Sequence, residues 1–298
     1  MSVKNFIPPV KNENTGEFFI ERLKNAGIKN YKREYIWLVC HALNEPEYKI
    51  LLKNNFTQSE FDAVNNLITR RENGEPLQYI LGNAIFYGRE FECGAGVLIP
   101  REDTEILIDA VKNYCAPEKN FSFLDFGTGT GCIAITLLLE FKNSVAYMLE
   151  ISDEAKSYAL KNLVKYNLNL SGRINFCEPL KCDFIISNPP YIPTSEIELL
   201  EKSVKNFEPV TALDGGEDGL NFYRLIFEKA KKILNEHGLI IFEIGNLTQA
   251  NSLKNICLNY GFEHVKSLND LKDLPRCVIF KKQNDGGEIF AANNFSKK

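Results

Sequence analysis

Tryptophan occurs once, methionine twice and histidine three times in the 298 residues. His41, His237 and His264 lie far apart and fall in no motif. None sits at the spacing of a metal-ligand pair or beside a partner that would make it a catalytic base. Cysteine is commoner, at 8, but Cys177 and Cys182 form the only close pair. They lack a second pair of ligands, so no metal site is expected. Cys40, Cys132, Cys257 and Cys277 lie in apolar segments and read as small core residues with reduced thiols. No apolar run reaches the ~18 residues of a membrane span, and Met1-Ser2-Val3-Lys4-Asn5 is not followed by a signal-peptide core. A soluble, cytoplasmic protein with no membrane partner is expected. Positive charge is not in excess: the formal net charge is -4 and the pI about 5.6. A protein that coats nucleic acid normally carries a basic face, so no stable nucleic-acid partner is expected. No internal repeat is present.

The composition is that of a globular chain, 44% hydrophobic and 25% charged, and the length suits one large or two ordinary domains. Apolar spacing predicts helices through residues 1–84. One runs from Phe18 to about Lys24 and stops near Gly27. Another aligns Tyr35, Ile36, Val39, Cys40 and Leu43. A third starts at the capping box Thr57-Gln58-Ser59-Glu60 and places Phe61, Val64, Leu67 and Ile68 on one face. A small bundle follows, suited either to packing alone or to docking a macromolecule.

The character changes near Gly74. A β-hairpin linker is expected over 85–105, with strands at Tyr87–Phe91 and Val97–Pro100 around the glycines of Cys93-Gly94-Ala95-Gly96. Over 106–282 strand and helix patterns alternate. Strand candidates are Phe121–Phe126, Val145–Glu150, Arg173–Phe176, Phe184–Ser187, Leu239–Ile244 and Cys277–Phe280, with helices such as Asp153–Tyr166 and Tyr223–Leu234 between them. Such alternation predicts an α/β fold built on a mostly parallel sheet covered by helices. Residues 283–298, rich in Asn, Gly and Lys, read as a frayed tail.

Phe123-Leu124-Asp125-Phe126-Gly127-Thr128-Gly129-Thr130-Gly131 reads as a strand entering a glycine loop and then a helix, Cys132–Glu140. Glu150 ends the next strand, 150 − 131 = 19 residues beyond the last glycine. That spacing suits a carboxylate accepting from ribose hydroxyls. The glycines are spaced G-x-G-x-G, unlike the G-x-G-x-x-G of dinucleotide binders, and no Gly-Lys-Ser/Thr follows, which excludes a phosphate-gripping P-loop. Asp125 before the loop is a poor neighbour for a pyrophosphate and suits a cationic ligand. S-adenosylmethionine, with an ammonium, a sulfonium and no phosphate, fits these residues. The plain alternative makes Asp125 and Glu150 polar strand ends.

Asn188-Pro189-Pro190-Tyr191 follows the apolar strand Asp183-Phe184-Ile185-Ile186-Ser187. Two prolines fix φ and remove two donors, and Pro189 biases Asn188 toward extended backbone. A stiff corner results that can hold a planar –NH₂. The Asn188 side-chain oxygen and the Pro189 carbonyl can accept its two hydrogens, with Tyr191 able to cover its flat side. The plain alternative is a loop that turns the chain after a buried strand.

Taken together, the glycine loop, Glu150 and the Asn-Pro-Pro-Tyr corner resemble class I, Rossmann-like methyltransferases acting on conjugated nitrogens. Flanking segments narrow the resemblance to the HemK/PrmC release factor protein-(glutamine-N5) methyltransferases. They are Gly74-Glu75-Pro76-Leu77-Gln78-Tyr79-Ile80-Leu81-Gly82, Val97-Leu98-Ile99-Pro100-Arg101-Glu102-Asp103-Thr104-Glu105, Ala212-Leu213-Asp214-Gly215-Gly216-Glu217-Asp218-Gly219-Leu220 and Phe242-Glu243-Ile244-Gly245. The resemblance covers about residues 14–281. It implies a seven-stranded class I fold behind a helical domain that docks the substrate, and S-adenosylmethionine bound by Gly127, Thr128, Gly129, Thr130, Gly131, Glu150 and Asn188. It implies that Asn188, Pro189, Pro190 and Tyr191 hold the glutamine of the Gly-Gly-Gln tip of bacterial class 1 peptide chain release factors. Asn188, Pro189 and Tyr191 would carry the catalytic role. The chain departs from the family in a shorter connection before Asn188, where Phe176 is either an adenine wall or a strand residue. Gln249 also comes one position late after Glu243-Ile244-Gly245. Rival readings are a DNA adenine-N6 methyltransferase, a release-factor-binding module that has lost its cofactor, and a nicotinamide oxidoreductase, which the glycine spacing disfavours.

Overall fold

The computed structural model describes residues 15–53, 55–270 and 272–283. The tail expected over 283–298 lies outside them apart from Gln283. The chain forms two compact units: one holds the residues up to Ile99 together with Glu198–Val210, the other Pro100–Ile197 and the residues from Thr211 on.

The first unit is a bundle of α1 (Thr15–Asn25), α2 (Tyr31–Leu43), α3 (Glu47–Leu51), α4 (Gln58–Glu72) and α5 (Leu77–Leu81). The capping box starts α4 as its sequence predicts: Glu60 N–H donates to Thr57 Oγ1 at 3.3 Å, and Thr57 N–H donates to Glu60 Oε2 at 2.8 Å. Phe61, Val64 and Ile68 of α4 pack on Phe19, Leu23, Leu38 and Val39 from α1 and α2. Each fully buried aliphatic side chain there contributes about 1.5–3 kcal/mol. Polar pairs finish the bundle, among them Arg71 with Glu34 at 2.6 Å and Arg70 with Glu75 at 2.6 Å.

The hairpin sits earlier than its glycines suggest, as β1 (Asn83–Phe86) and β2 (Arg89–Glu92). Its turn is Tyr87-Gly88, with both residues at positive φ, 51° and 69°. Two such residues match the right-handed twist of paired strands. Cys93-Gly94-Ala95-Gly96 lies beyond the pairing, and Val97–Pro100 is not a strand. Segment Glu198–Val210 closes on this unit through Glu208, whose Oε2 accepts from Ile99 N–H at 3.2 Å.

The second unit is a seven-stranded sheet: β3 (Phe121–Phe126), β4 (Ser144–Leu149), β5 (Ile174–Asn175), β6 (Cys182–Ser187), β7 (Leu234–Glu243), β8 (Phe262–Asn269) and β9 (Pro275–Lys282). The spatial order is β5-β4-β3-β6-β7-β9-β8. The first five are parallel and β9 runs antiparallel to both neighbours. The central strands are buried runs without alternation, as strands covered on both faces must be. β8 escapes the sequence pattern because it is an edge strand with a mostly half-exposed face. Helices cover the sheet: α6 (Ile106–Lys112), α7 (Cys132–Glu140), α8 (Asp153–Lys165), and the helices Asn221–Ile233 and Leu247–Ile256. Among the described residues no helix is long and apolar enough to cross a membrane.

From β3 the chain winds outward through β4 to β5, then returns to the other flank of β3 as β6. The strand order therefore reverses between β3 and β6. In open α/β sheets the crevice beyond the carboxyl ends of strands at this point is where ligands bind.

Candidate active site

Both motifs leave the sheet at that point. Asp125 of β3 is level with Ile186 of β6. Just beyond, Ser187 Oγ donates to the Phe126 carbonyl at 2.6 Å, so the residues preceding the glycine loop and the corner are tied together.

The glycine loop satisfies its own amides. Gly127 and Thr128 N–H donate to the Leu149 carbonyl at 2.9 and 3.0 Å, Gly129 N–H to Glu150 Oε2 at 2.9 Å, and Gly131 N–H to the Thr128 carbonyl at 2.8 Å. Asn162 Nδ2 holds the Thr130 carbonyl at 2.9 Å. A Cβ on Gly131 would stand 3.1 Å from Ile135 Cδ1 and 3.3 Å from Met148 Cε, and its φ is 80°. Only glycine lets α7 begin that close to the sheet.

Asp125 is fully buried. Its Oδ2 accepts from Thr128 Oγ1 at 2.5 Å and from Ala134 N–H, in the first turn of α7, at 3.3 Å. The positive end of that helix, where a phosphate would otherwise bind, already faces a carboxylate. Oδ1 is buried without a hydrogen-bond partner, and burial pushes the carboxyl up to about 7. On the other side Glu150 Oε1 accepts from Ile151 and Ser152 N–H, both at 2.9 Å. A loop with committed amides between two carboxylates is no anion cradle. It suits a phosphate-free, cationic nucleoside ligand.

At the corner, Asn188 Nδ2 donates to Thr104 Oγ1 at 3.1 Å. Nothing among the described residues donates to Asn188 Oδ1 or to the Pro189 carbonyl. Tyr191 O–H donates to Glu243 Oε1 at 3.4 Å, and burial, followed by the Glu243 charge, raises its pKa and keeps it a phenol. Glu243, buried at the end of β7, is pushed up to about 7 chiefly by burial, opposed by the nearby Thr104 hydroxyl.

The backbone of the corner is gripped from two sides. Ile192 N–H donates to the Leu213 carbonyl at 3.0 Å, and Gly215 N–H to the Ile192 carbonyl at 2.8 Å. A Cβ on Gly215 would come within 2.8 Å of the Pro190 carbonyl, and one on Gly219 within 2.4 Å of the Tyr191 carbonyl. Asp214-Gly215-Gly216-Glu217-Asp218-Gly219 is thus glycine-rich because it lies directly on the Asn-Pro-Pro-Tyr backbone. Gln249 completes the grip, its Nε2 donating to the Tyr191 carbonyl at 2.6 Å and its Oε1 accepting from Gly245 N–H at 2.8 Å. The late position of Gln249 in sequence leaves it on the corner.

Two residues with open roles take simple places. Asp183 accepts from Ser122 N–H at 2.8 Å and Asn235 Nδ2 at 2.7 Å, tying the strand ends opposite the site. Phe176 lies just after β5, half-buried, with Lys156 Nζ 5.2 Å from its ring centroid. Thr104, Glu243 and Gln249 contribute to the site and were recognisable beforehand only as members of flanking segments. Among the described residues no group of His, Cys, Asp and Glu could hold a metal ion.

This fold, with a ligand crevice that favours a cation over a phosphate, defines a class I, S-adenosylmethionine-dependent methyltransferase. Known proteins agree. The PrmC N-terminal domain family matches residues 17–82 and the methyltransferase small domain family residues 102–207. A release factor glutamine methyltransferase of Thermodesulfovibrio yellowstonii is 37% identical over 84% of this chain and 92% of that protein. One from Geobacter sulfurreducens is 36% identical over 86% and 91%. A bifunctional methyltransferase of Rickettsia bellii is 39% identical, and this chain spans 52% of its length. Among solved structures, a methyltransferase from Pyrococcus furiosus is 19% identical with a TM-score of 0.49, covering 67% of this chain and 91% of that one. The chain belongs to the release factor glutamine methyltransferase family.

Proposed function

We propose that the site transfers a methyl group from S-adenosylmethionine to the side-chain amide nitrogen of the glutamine in the Gly-Gly-Gln tip of class 1 peptide chain release factors. The observation that carries this reading is the Ser187–Phe126 hydrogen bond of 2.6 Å, which fixes the amide-holding corner beside the glycine loop. Gly127 to Gly131 and Glu150 hold the nucleoside, Glu150 through the ribose hydroxyls, while Asp125 opposes any phosphate. S-adenosylmethionine supplies a methyl already activated by its sulfonium, so no covalent enzyme intermediate is required.

What the protein must add is alignment and charge. Asn188 Oδ1 and the Pro189 carbonyl accept the two hydrogens of the glutamine –NH₂ and place its nitrogen in line with the methyl, the geometry that converts binding into rate. Both acceptors oppose delocalisation of the lone pair into the amide carbonyl. Both also stabilise the positive charge that grows on nitrogen as the N–C bond forms, as preorganised dipoles do. Tyr191, a neutral phenol, covers the flat face. The nitrogen sheds one proton after transfer, and no side chain of the corner acts as a strong base.

The test is mass spectrometry of a release factor incubated with this protein and S-adenosylmethionine. The glutamine of the tip gains the mass of a single methyl group, and Asn188→Ala abolishes the gain while cofactor binding persists. Label appearing only in DNA would overturn the reading in favour of an adenine methyltransferase. A folded protein that binds no cofactor in titration calorimetry would favour a binding module.

A further inference from the structure

We propose that Gln249 is a positioning residue for the methyl transfer, its side-chain –NH₂ holding the Tyr191 carbonyl so that the Tyr191 ring lies over the substrate amide. The inference rests on the methyl-transfer reading above. Gln249 is buried, in the turn that opens the helix Leu247–Ile256. Asn246 caps that helix, its Oδ1 accepting from Gln249 N–H at 2.9 Å. Side chains in a helix lean back toward its start, and the Gln249 amide accordingly reaches Gly245, just before the cap.

Asn246-Leu247-Thr248-Gln249 has the spacing of a capping box, which accounts for the acceptor half of this amide. Its Oε1 accepts from Gly245 N–H at 2.8 Å. A glutamate serves a box as well as a glutamine, because only a side-chain oxygen is used. The donor half has no part in a cap. Nε2 donates to the Tyr191 carbonyl at 2.6 Å and, more weakly, to the Gly219 carbonyl at 3.5 Å. These partners are backbone groups whose roles do not exchange: an N–H only donates and a carbonyl only accepts. The amide therefore sits one way round, and a side chain without a donor does not replace it.

What Nε2 holds is the residue that covers the reacting amide. The Tyr191 hydroxyl donates to Glu243 Oε1 at 3.4 Å. The ring edge lies on Gly245, where an added Cβ would stand 3.0 Å from Cε2 and 3.1 Å from Cδ2. These contacts set the side chain, whereas the bond from Gln249 sets the backbone that carries it. Pro190, with its fixed φ, stands between Tyr191 and Pro189, so a shift at Tyr191 is passed on to the Pro189 carbonyl. A single donor thus positions the aromatic cover and one of the acceptors.

The experiment separates the two halves of the amide with Gln249→Glu, which keeps an oxygen for Gly245 and loses the donor for Tyr191. As a carboxylate the new side chain sets acceptor against acceptor at the Tyr191 carbonyl. Once protonated it donates again, in nearly the shape of glutamine. Release-factor methylation is followed from about pH 9 to about pH 5, a range over which a buried carboxyl passes from charged to neutral. Each rate is divided by that of wild type at the same pH. The ratio cancels the titration of groups common to both proteins: Tyr191 and Glu243, Asp218 before Gly219, and Arg276, whose Nη1 donates to the Gly245 carbonyl at 3.0 Å. At the alkaline end kcat is expected to fall roughly 10- to 100-fold, the range of a misplaced reacting group. At the acid end it should return to within about threefold of wild type, as the donor is restored. S-adenosylmethionine affinity by calorimetry should stay within about twofold throughout, because no group that binds the nucleoside has changed. Gln249→Met, with neither donor nor acceptor, is expected to lose kcat to a similar degree, about 10- to 100-fold, at every pH. Should Gln249→Glu not fold at alkaline pH by thermal melt, Gln249→Met carries the comparison, and wild-type kcat in it overturns the proposal. If wild type methylates the glutamine and Gln249→Glu matches it across the range, the side chain is a cap only and the positioning role is overturned alone. If Gln249→Glu is impaired by the same factor at every pH, the donor is not the agent and the proposal fails as well. If wild type transfers no methyl to release factor, the functional reading fails and this inference falls with it.

Discussion

Replacing Gly219 by alanine tests whether the glycine-rich loop over the corner serves chemistry as well as folding. Gly219 has φ of +72°, and a Cβ there would stand 2.4 Å from the Tyr191 carbonyl oxygen. Left-handed backbone costs an alanine about 1–2 kcal/mol. Relief of the clash to an ordinary contact of 3.4 Å requires 3.4 − 2.4 = 1.0 Å of movement. That movement also strips Tyr191 of its 2.6 Å bond from Gln249, worth about 1 kcal/mol. The sum is a stability loss of roughly 2–3 kcal/mol, or about 4–12 °C in Tm for a unit of this size. An error of ~1 Å in the corner costs on the order of 100-fold in kcat. Gly261→Ala is the matched control: its φ is +76°, and nothing lies within 4 Å of the added Cβ. It pays the same backbone strain without the clash, so it loses about 1–2 kcal/mol and no activity per folded molecule. The assay is methylation of release factor below the melting temperature of both variants, with scanning calorimetry alongside. Were Gly219→Ala to keep kcat within about threefold of Gly261→Ala, close contact between this loop and the corner would have no catalytic meaning, and the reasoning from backbone displacement to rate would be refuted.

Two further outcomes follow from the carboxylates. Glu150→Ala should weaken S-adenosylmethionine binding about 10- to 100-fold by calorimetry, since charge-assisted hydrogen bonds contribute about 1.5–3 kcal/mol and Gly129 N–H also loses its acceptor. Asp125 and Glu243 are raised by burial to about 7, well above the ~3.9–4.3 of unfolded carboxylates. The folded protein then holds protons that the unfolded chain has lost. The stability that these two groups contribute is fullest below about pH 4, falls as pH rises toward about 7, and levels off above it, each giving a slope of up to ~1.4 kcal/mol per pH unit. Asp125→Asn should remove about half of that combined slope in urea titrations, and an unchanged slope would show that the aspartate is not titrating there.

How much of this was legible beforehand depended on distance along the chain. The glycine loop, its following helix and β3 are local, and their residue ranges appear in the sequence almost as they do in space. The corner is equally local, because two prolines write their own backbone. The capping box of α4 is a four-residue device, readable for the same reason. The hairpin was misplaced because Tyr87 adopts positive φ, which a tyrosine rarely does, whereas the turn at Gly94-Ala95-Gly96-Val97 joins no paired strands. The supports of the site were not legible at all as chemistry. Thr104 meets Asn188 across 84 residues, Tyr191 meets Glu243 across 52, and Gln249 reaches Tyr191 across 58. No spacing rule spans such separations, because they are set by strand order.

Strand order also explains why these supports fall where they do. β7 pairs with β6 so that Phe242 is level with Ser187, which puts Glu243 level with the start of the corner. β3 pairs with β6 so that the glycine loop begins on its other flank. A single strand end thereby has the glycine loop on one side and a buried acid on the other. The acid is costly to bury, as its raised pKa shows. Its place at the end of β7, with Oε2 unpartnered, is hard to account for by stability alone, since a buried polar atom left without a partner costs about 1–3 kcal/mol. A leucine or methionine there would pack without that penalty, but would leave the Tyr191 hydroxyl without its acceptor. The fold tolerates the penalty at the strand end that lies beside the Asn-Pro-Pro-Tyr corner.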